Sequence, residues 1–384
     1  MSRPISWLYA AVLLNLVSGL AQLGQYGIAF PLLPLALQQR GVAPAQIGLL
    51  CALPWVGMAA GVLLAPWLMQ RIQAWRTVLI GLLLGAVTIA SLGDAPLYGW
   101  WLLTPLLGLA LGLRWIGNES WLYRLVPPQR RGVVVGLHET VIAIALLAGP
   151  LLIGWLGSRS LAIWYLAAGF GLLAILPLWL ARQREPDWSA DAVATSATVV
   201  FWNNPACALG VLAGLLDTGA MSLFPSFAAQ QAASPTQQAL LIAVLGGAGL
   251  LSQLPLGWLS DRLGSRTAVL ACLITAILAA VLTGLASPQQ QGPLWLAAAC
   301  LGIMGNGMLT LSIVVATEQP GDARLAMRDV SLAFTFGSVL GPALLGSVMQ
   351  HVGAGSYSWV LLAFALIPML WLPRLRPALP SSQP

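Results

Sequence analysis

Long apolar stretches alternate with short polar breaks along almost the whole chain of 384 residues. Each stretch holds roughly 20 residues, the length that an α-helix needs to cross the hydrocarbon core of a membrane. The pattern therefore predicts twelve membrane-spanning helices joined by short connections. Their approximate bounds are residues 7–37, 45–69, 76–93, 98–122, 132–155, 161–181, 205–230, 238–259, 267–286, 293–316, 328–350 and 356–373.

The composition excludes a soluble globular domain. Hydrophobic residues form 59% of the chain and charged residues only 7%, with a mean hydropathy of +0.85. Open sheets do not occur in lipid, and the apolar runs lack the residue-by-residue alternation of an outer-membrane barrel. The expected fold class is therefore an all-α integral membrane protein.

The arginines indicate the orientation of these helices. Fourteen of the seventeen fall in breaks on one side of the predicted membrane, and only Arg40 and Arg159 fall on the other side. Because arginine is enriched in cytoplasmic loops, both termini are expected in the cytoplasm. The first residues lack a small-residue cleavage site, which predicts a retained first helix and no signal peptide. The arginines form no basic patch, so nucleic acid is not expected as a partner.

Short motifs of the first half recur in the second half, about half the chain length later. They are Gly149 to Gly154 with Gly341 to Gly346, Trp67 to Arg71 with Trp258 to Arg262, and Phe30-Pro31 with Phe224-Pro225. The only long polar break, residues 183–204, separates the two copies. Two parallel six-helix repeats, 1–182 and 205–384, are therefore expected on either side of a cytoplasmic linker.

A charged turn interrupts the apolar pattern between predicted helices 8 and 9. It reads G-x-L-x-D-R-x-G-x-R from Gly257 to Arg266, and its charges must lie at a membrane surface, because an unpaired charge in hydrocarbon is costly. This motif resembles the cytoplasmic loop signature of the major facilitator superfamily, and the resemblance covers essentially the whole chain. Within the family, the chain is most similar to the YcaD-like branch of bacterial members. The other segments that carry this similarity are Trp115 to Ser120, Arg130 to Gly132, and Phe336 to Pro342.

The resemblance implies a multi-pass transporter of the bacterial inner membrane with two pseudo-symmetric six-helix bundles. It also implies that charged turns form a cytoplasmic gate between the bundles. The expected gate residues are Asp261, Arg262, Arg266, Arg71 and Glu119. In the first half Gln70 replaces the family's acid, which predicts a lopsided latch. The alternatives are a turn that only sets topology and, for Glu119, a charge network with the arginines that follow it.

In this family helices 1, 4, 7 and 10 line the central cavity. Arg114 lies deep in helix 4, and a buried arginine needs an anionic partner, either a protein carboxylate or the substrate. The repeat places Asn306 of helix 10 at the equivalent position, so the two side chains are expected to converge near mid-membrane. Further expected cavity residues are Gln22, Gln25, Tyr26 and Trp115. A permanent structural ion pair is the alternative role for Arg114, and packing is the alternative for Trp115.

Asp217 is the only acid of helix 7 and lies near mid-depth. A carboxylate at that depth can carry a proton, which is the common coupling ion of secondary transport. Its alternative roles are a counter-ion to Arg114 and a solvated residue of the cavity wall. His138 and Glu139 of helix 5 are further candidates for proton coupling, since imidazole titrates near neutral pH.

Other function classes find little support in the sequence. The chain contains no lysine and therefore no nucleotide-binding loop, so ATP-driven pumping is excluded. With two histidines and four scattered cysteines, no enzyme, metal or cofactor is expected. The expected partners are a small-molecule substrate, membrane lipids and protons, and the chain is expected to be a monomer.

The preferred function is proton-coupled export of a small amphiphilic or anionic molecule. Gly149-Pro150 and Gly341-Pro342 allow helices to bend and approach their neighbours, and similar motifs occur in exporters of the family. Two alternatives stay open. One is proton-coupled uptake of an anionic nutrient, and the other is a transport-inactive membrane sensor or scaffold.

Overall fold

The structure is a computed structural model that describes residues 6–188, 204–317 and 323–370. These residues form helices and no β-strand, apart from an isolated bridge between Ser287 and Gln290. Eleven helical segments are long and apolar enough to cross a membrane, and Ser356–Leu366 is a shorter apolar helix. The predicted all-helical membrane architecture is confirmed. The helices are α1 Ser6–Gln22, α2 Phe30–Gln39, α3 Pro44–Ile72, α4 Ala74–Asp94, α5 Leu97–Leu125, α6 Arg131–Leu156, α7 Leu161–Leu173, α8 Ile175–Ala181, α9 Pro205–Gln230, α10 Pro235–Leu263, α11 Ser265–Leu285, α12 Gly292–Thr317, α13 Ala323–Val352 and α14 Ser356–Leu366.

The first span changes its helical type halfway along. Leu23–Ala29 is a π-helix that connects α1 directly to α2. Pro31 and Pro34 follow it and lack the amide hydrogen that a regular helix needs, so the normal bonding ladder is interrupted here. Gly27 lies so close to the Ala145 carbonyl oxygen that a Cβ atom would overlap it. The neighbouring helix α6 therefore packs directly on the irregular backbone.

The chain divides into two compact units. Unit 1 comprises Met1–Leu33 with Leu53–Ser196, and unit 2 comprises Pro34–Ala52 with Ala197–Pro384. Residues 34–52, expected in the first bundle, belong to unit 2, where Gly48 packs against the backbone of Pro342. Most of the expected linker 183–204 lies outside the described residues, so the boundary between the bundles stays a prediction.

Glycines set the spacing of one helix pair in each unit. In unit 1, Gly57 of α3 lies against the Pro105 carbonyl of α5, and Gly108 of α5 lies against the Pro54 carbonyl of α3. A Cβ atom on either glycine would overlap these oxygens. In unit 2, Gly302 of α12 lies against the backbone of α10 in the same way. Because lipid is as apolar as leucine, such close contact is a main source of helix association in membranes. We call the α3–α5 contact the glycine seam.

Two short turns of the repeats share an unusual backbone conformation. Gly264, between α10 and α11, has φ 84° and ψ 153°, and Gln73, between α3 and α4, has φ 75° and ψ 159°. Glycine adopts this region readily, whereas residues with a Cβ atom do so at a cost of about 1–3 kcal/mol. The first repeat therefore carries strain at Gln73 that the second repeat avoids.

Gln73→Gly is expected to raise the free energy of unfolding by about 1 kcal/mol, because it relieves this strain. The side chain contributes only an exposed hydrogen bond, accepted from Trp75 Nε1 at 3.0 Å. Thermal unfolding of the purified protein in detergent measures the effect. The matched variant Gly264→Gln should lower the unfolding temperature. A Gln73→Gly protein less stable than the wild type would contradict strain at this turn.

Candidate functional site

Arg114 occupies a buried polar site in unit 1. Arg114 lies in the membrane-spanning helix α5 and is only 2% exposed. Its Nε donates a hydrogen bond to Gln25 Oε1 at 3.0 Å, and its Nη2 donates to Gln22 Oε1 at 2.7 Å. Gln25 Nε2 in turn donates to the Gly81 carbonyl oxygen at 3.3 Å. The structure thus brings together three of the expected cavity residues.

The guanidinium of Arg114 is not bonded to a carboxylate, although the charge of Glu119 on the same helix attracts it through space. Among the described residues of unit 1, it forms no ion pair, and both of its bonded acceptors are neutral amide oxygens. Burying a charge without a directly bonded opposite charge is costly, and the glutamines and the more distant Glu119 compensate for only part of this cost. The permanent ion pair considered from the sequence is therefore not found within unit 1.

Glycines of α4 make room for this site, and the sequence did not single them out. A Cβ atom on Gly85 would overlap the Gln25 amide, and one on Gly81 would lie 2.9 Å from Arg114 Cβ. Both glycines are therefore needed for the guanidinium and amides to fit between the helices. Their signal in the sequence is only a four-residue spacing on one helix face, which is common in membrane helices.

Tyr26 belongs to a group of aromatic rings in unit 1. Its ring centroid lies 4.7 Å from that of Phe30 and 6.2 Å from that of Trp55, with an edge-on arrangement to Trp55. Trp115, next to Arg114 in sequence, is half-buried. The π-helix carries both Tyr26 and Gln25, so one irregular segment supplies an aromatic and a polar group.

A second polar cluster of unit 1 joins α1, α5 and α6. His138 Nδ1 lies 2.9 Å from Asn15 Oδ1, and His138 Nε2 lies 3.6 Å from Glu119 Oε1. Asn118 Nδ2 donates to Ser18 Oγ at 2.7 Å and to the Leu14 carbonyl at 3.1 Å. Glu139 lies on the exposed side of α6 while His138 is buried, as expected for neighbours in a helix. The sequence singled out Glu119 for the gate and His138 for proton coupling, but not the other polar residues of the cluster, Asn15, Ser18 and Asn118.

Unit 2 places Asp217 and Asn306 on two packed helices, α9 and α12. Both side chains are half-buried. Asp217 Oδ1 lies against Gly305, where a Cβ atom would be only 2.5 Å away, and the Asn306 amide lies against Gly249. Among the described residues of this unit, neither side chain has a hydrogen-bond partner. Arg114 and Asn306 belong to different units, so their convergence stays a prediction.

Four of the five expected gate residues, Arg71, Asp261, Arg262 and Arg266, lie at helix ends and are exposed, whereas Glu119 is half-buried within α5. Arg71 stacks on Trp67, with its guanidinium carbon 4.9 Å from the ring centroid, and Arg262 stacks on Trp258 at 4.8 Å. These pairs occupy equivalent positions in the two repeats. Asp261 and Arg266 are exposed and form no ion pair with a described residue of unit 2. Their gating role stays a prediction.

Glu185, which the sequence did not single out, accepts hydrogen bonds at the turn between α3 and α4. Glu185 Oε1 accepts hydrogen bonds from the backbone N–H groups of Ala74 and Trp75, at the start of α4, and from Trp188 Nε1 at 2.9 Å. Burial raises the pKa of Glu185, and the three donors oppose this effect. The carboxylate and the positive end of the α4 dipole also attract each other. More than one hundred residues separate these groups along the chain, so no local sequence pattern indicates the contact.

The family model described as Major Facilitator Superfamily matches residues 14–319 and 206–384. The chain belongs to the major facilitator superfamily. This result confirms the family resemblance drawn from the charged turn and the repeats. The chain is also 25% identical to the uncharacterised MFS-type transporter YcaD of Escherichia coli, over 97% of this chain and 96% of that protein. YcaD of Shigella sonnei is 24% identical over the same shares.

Solved structures of other superfamily transporters share the fold. A mutant form of the nucleoside transporter NupG matches with a TM-score of 0.80 and 14% identity, over 95% of this chain and 99% of NupG. A bacterial homologue of the human lysosomal transporter Spinster, in an inward-facing and occupied conformation, matches with a TM-score of 0.73 and 17% identity. That match covers 99% of this chain and 100% of the homologue. The superfamily fold expected from the sequence is thereby confirmed.

Proposed function

We propose that this membrane transporter exports a small anionic or amphiphilic molecule in exchange for protons. The single observation that carries the anionic part is Arg114, a buried guanidinium bonded to two neutral glutamines and to no carboxylate of its unit. A guanidinium has five N–H donors arranged to fit a carboxylate or phosphate, and the glutamines engage only some of them. An anionic ligand group would supply a directly bonded opposite charge.

The aromatic rings near the π-helix support the amphiphilic part of the proposal. Tyr26, Phe30 and Trp55 offer ring faces and edges, and aromatic side chains combine large apolar contact with a specific geometry. A ligand with an acidic group and a flat apolar body would match both features of unit 1. We therefore infer an organic anion with an apolar moiety as the substrate class.

A proteoliposome assay tests this function. Purified protein is reconstituted into vesicles with an internal pH dye, and organic anions, amphiphiles and neutral sugars are added one at a time. Proton movement with anionic amphiphiles, but not with neutral sugars, is the expected result. Movement of protons against the substrate indicates export by exchange, and movement with the substrate indicates the alternative, uptake. Vesicles that respond to no compound, while the dye responds to an added protonophore, would contradict the proposal.

Asp217 is the proposed carrier of the coupling proton in unit 2. It is a half-buried carboxylate with no hydrogen-bond partner among the described residues of its unit, so nothing there holds it permanently in its ionised form. His138 and Glu139 of unit 1 are proposed as further groups in proton coupling. The exposed turn with Asp261 is proposed as part of the gate.

Asp217→Asn is expected to abolish proton-driven accumulation while leaving exchange of labelled for unlabelled substrate intact. Across a gradient of one pH unit, one-for-one coupling gives about tenfold accumulation of substrate in the wild type. The variant should show no accumulation. Asp94→Asn is a matched control, because Asp94 is an exposed acid at the end of α4 that accepts a hydrogen bond from Tyr165. Normal accumulation by Asp217→Asn would remove this carboxylate from the coupling step.

A further inference from the structure

The hydrogen bonds around His138 fix which ring nitrogen carries its permanent proton. Asn15 Nδ2 donates to the Ala11 carbonyl oxygen at 2.8 Å, so the amide oxygen of Asn15 is the atom that faces the histidine. That oxygen lies 2.9 Å from His138 Nδ1 and can only accept a hydrogen bond. His138 Nδ1 must therefore be the donor.

The other ring nitrogen is left facing a carboxylate. His138 is fully buried, and its Nε2 has no hydrogen-bond partner among the described residues. Its polar neighbour is Glu119 Oε1, 3.6 Å away. With Nδ1 protonated, a neutral ring would direct a lone pair at a carboxylate oxygen, which is unfavourable in a buried site. A proton on either group changes this repulsion into attraction.

We propose that His138 Nε2 and Glu119 bind one exchangeable proton between them, which makes this pair a proton-binding site of unit 1 separate from Asp217. The proton comes from water and returns to water, so no other reactant is needed. A link between this site and substrate movement rests on the proposed function, whereas proton binding itself does not.

The exposure of the two groups gives the route of the proton. The Glu119 side chain is 21% exposed, whereas the His138 side chain is 0% exposed. Glu119 is therefore the entrance and His138 the buried end of the site. The other ionisable groups near the pair are Arg114 and Tyr123 on α5 and Glu139 on α6, while α1 presents only neutral amides and hydroxyls to it.

The proton also completes a connection among three helices. Asn118 bonds α5 to α1, and Asn15 bonds α1 to α6. Only the contact between Glu119 of α5 and His138 of α6 depends on an added proton. Occupancy of the site should therefore hold α5 against α6, and loss of the proton should weaken that contact.

The chain contains only two histidines, which allows a direct test. His351→Gln removes the exposed second one and leaves His138 as the sole imidazole. In protein labelled with ¹⁵N-histidine, side-chain NMR across a pH series should show Nδ1 protonated throughout and Nε2 changing in one step. Carboxyl signals of ¹³C-labelled Glu119 should change over the same pH range. Glu119→Gln should change the pH range of the Nε2 signal, because the group that shares the proton is lost.

Two results would overturn the proton site. One is a neutral ring that carries its proton on Nε2, and the other is an Nε2 midpoint unchanged by Glu119→Gln. If Glu119→Gln fails to fold, Asn15→Leu serves as a second variant. It removes the acceptor of Nδ1, so the proton of the neutral ring should no longer be confined to Nδ1. Proteoliposomes separate this site from the proposed function. Proton-coupled transport with a negative NMR result retains the function without the site, and a positive NMR result without proton-coupled transport retains the site alone.

Discussion

Arg114→Ala is expected to lower the transport of an anionic substrate at least about 100-fold. The guanidinium is the one positive charge buried in the Gln22 and Gln25 site, and a hydrogen bond to a charged group is worth about 1.5–3 kcal/mol. Loss of two such bonds to a ligand carboxylate or phosphate amounts to about 3 kcal/mol or more, which corresponds to roughly 150-fold in affinity. Initial rates in proteoliposomes across a range of substrate concentrations measure this effect.

Two further variants separate charge from geometry at this site. Arg114→Lys keeps the charge but lacks the planar fork, so a partial loss is expected. Gln25→Leu removes one neutral acceptor and keeps the guanidinium, so binding of an anion should be retained more fully than in Arg114→Ala. Undiminished anion transport by Arg114→Ala would contradict the anionic substrate, and an equal loss for neutral solutes would indicate a structural role.

Gly108→Val is expected to prevent folding of unit 1. The Gly108 Cα lies so close to the Pro54 carbonyl oxygen that even one added methyl group would overlap backbone atoms, and valine adds three carbons. Backbone atoms of two packed helices do not move aside as a flexible side chain does, so the helices must separate along the glycine seam. A cost above about 4 kcal/mol would remove much of the stability of a typical protein, which is about 5–15 kcal/mol.

The yield of monodisperse protein after detergent extraction measures this prediction. Gly169→Val is the matched control, because Gly169 lies in α7 of the same unit and no atom lies within 4 Å of a Cβ built there. The control should extract normally and unfold near the wild-type temperature. A Gly108→Val protein that behaves like the control would mean that the seam can open at little cost.

The sequence predicted the helices, which the structure confirms, and it singled out Arg114 as a candidate site residue, because both follow from local features. An arginine deep in an apolar stretch is a signal by itself, and so are an isolated acid at Asp217 and the repeated motifs. Gln22 and Gln25 were predicted to line the cavity, and the structure adds that they are the acceptors for Arg114.

The polar contacts that join α1, α5 and α6 around His138 were not predictable from the same pattern. Asn15, Ser18 and Asn118 are single polar residues within apolar helices, where such residues have many possible roles. Which of them meet depends on the rotation of three helices about their axes, and a 100° error in one helix would separate the pairs that this helix forms. The π-helix and the placement of residues 34–52 in unit 2 likewise depend on tertiary packing.

The contact between Glu185 and the start of α4 has a consequence for protein synthesis. The ribosome makes residue 185 long after Ala74 and Trp75, so these backbone N–H groups lack their acceptor while helices α5 to α8 are translated. Unit 1 therefore completes this turn only once the chain beyond its last span has emerged. A nascent chain released before Glu185 would hold the same membrane helices, and yet one helix end would face the membrane surface without its carboxylate.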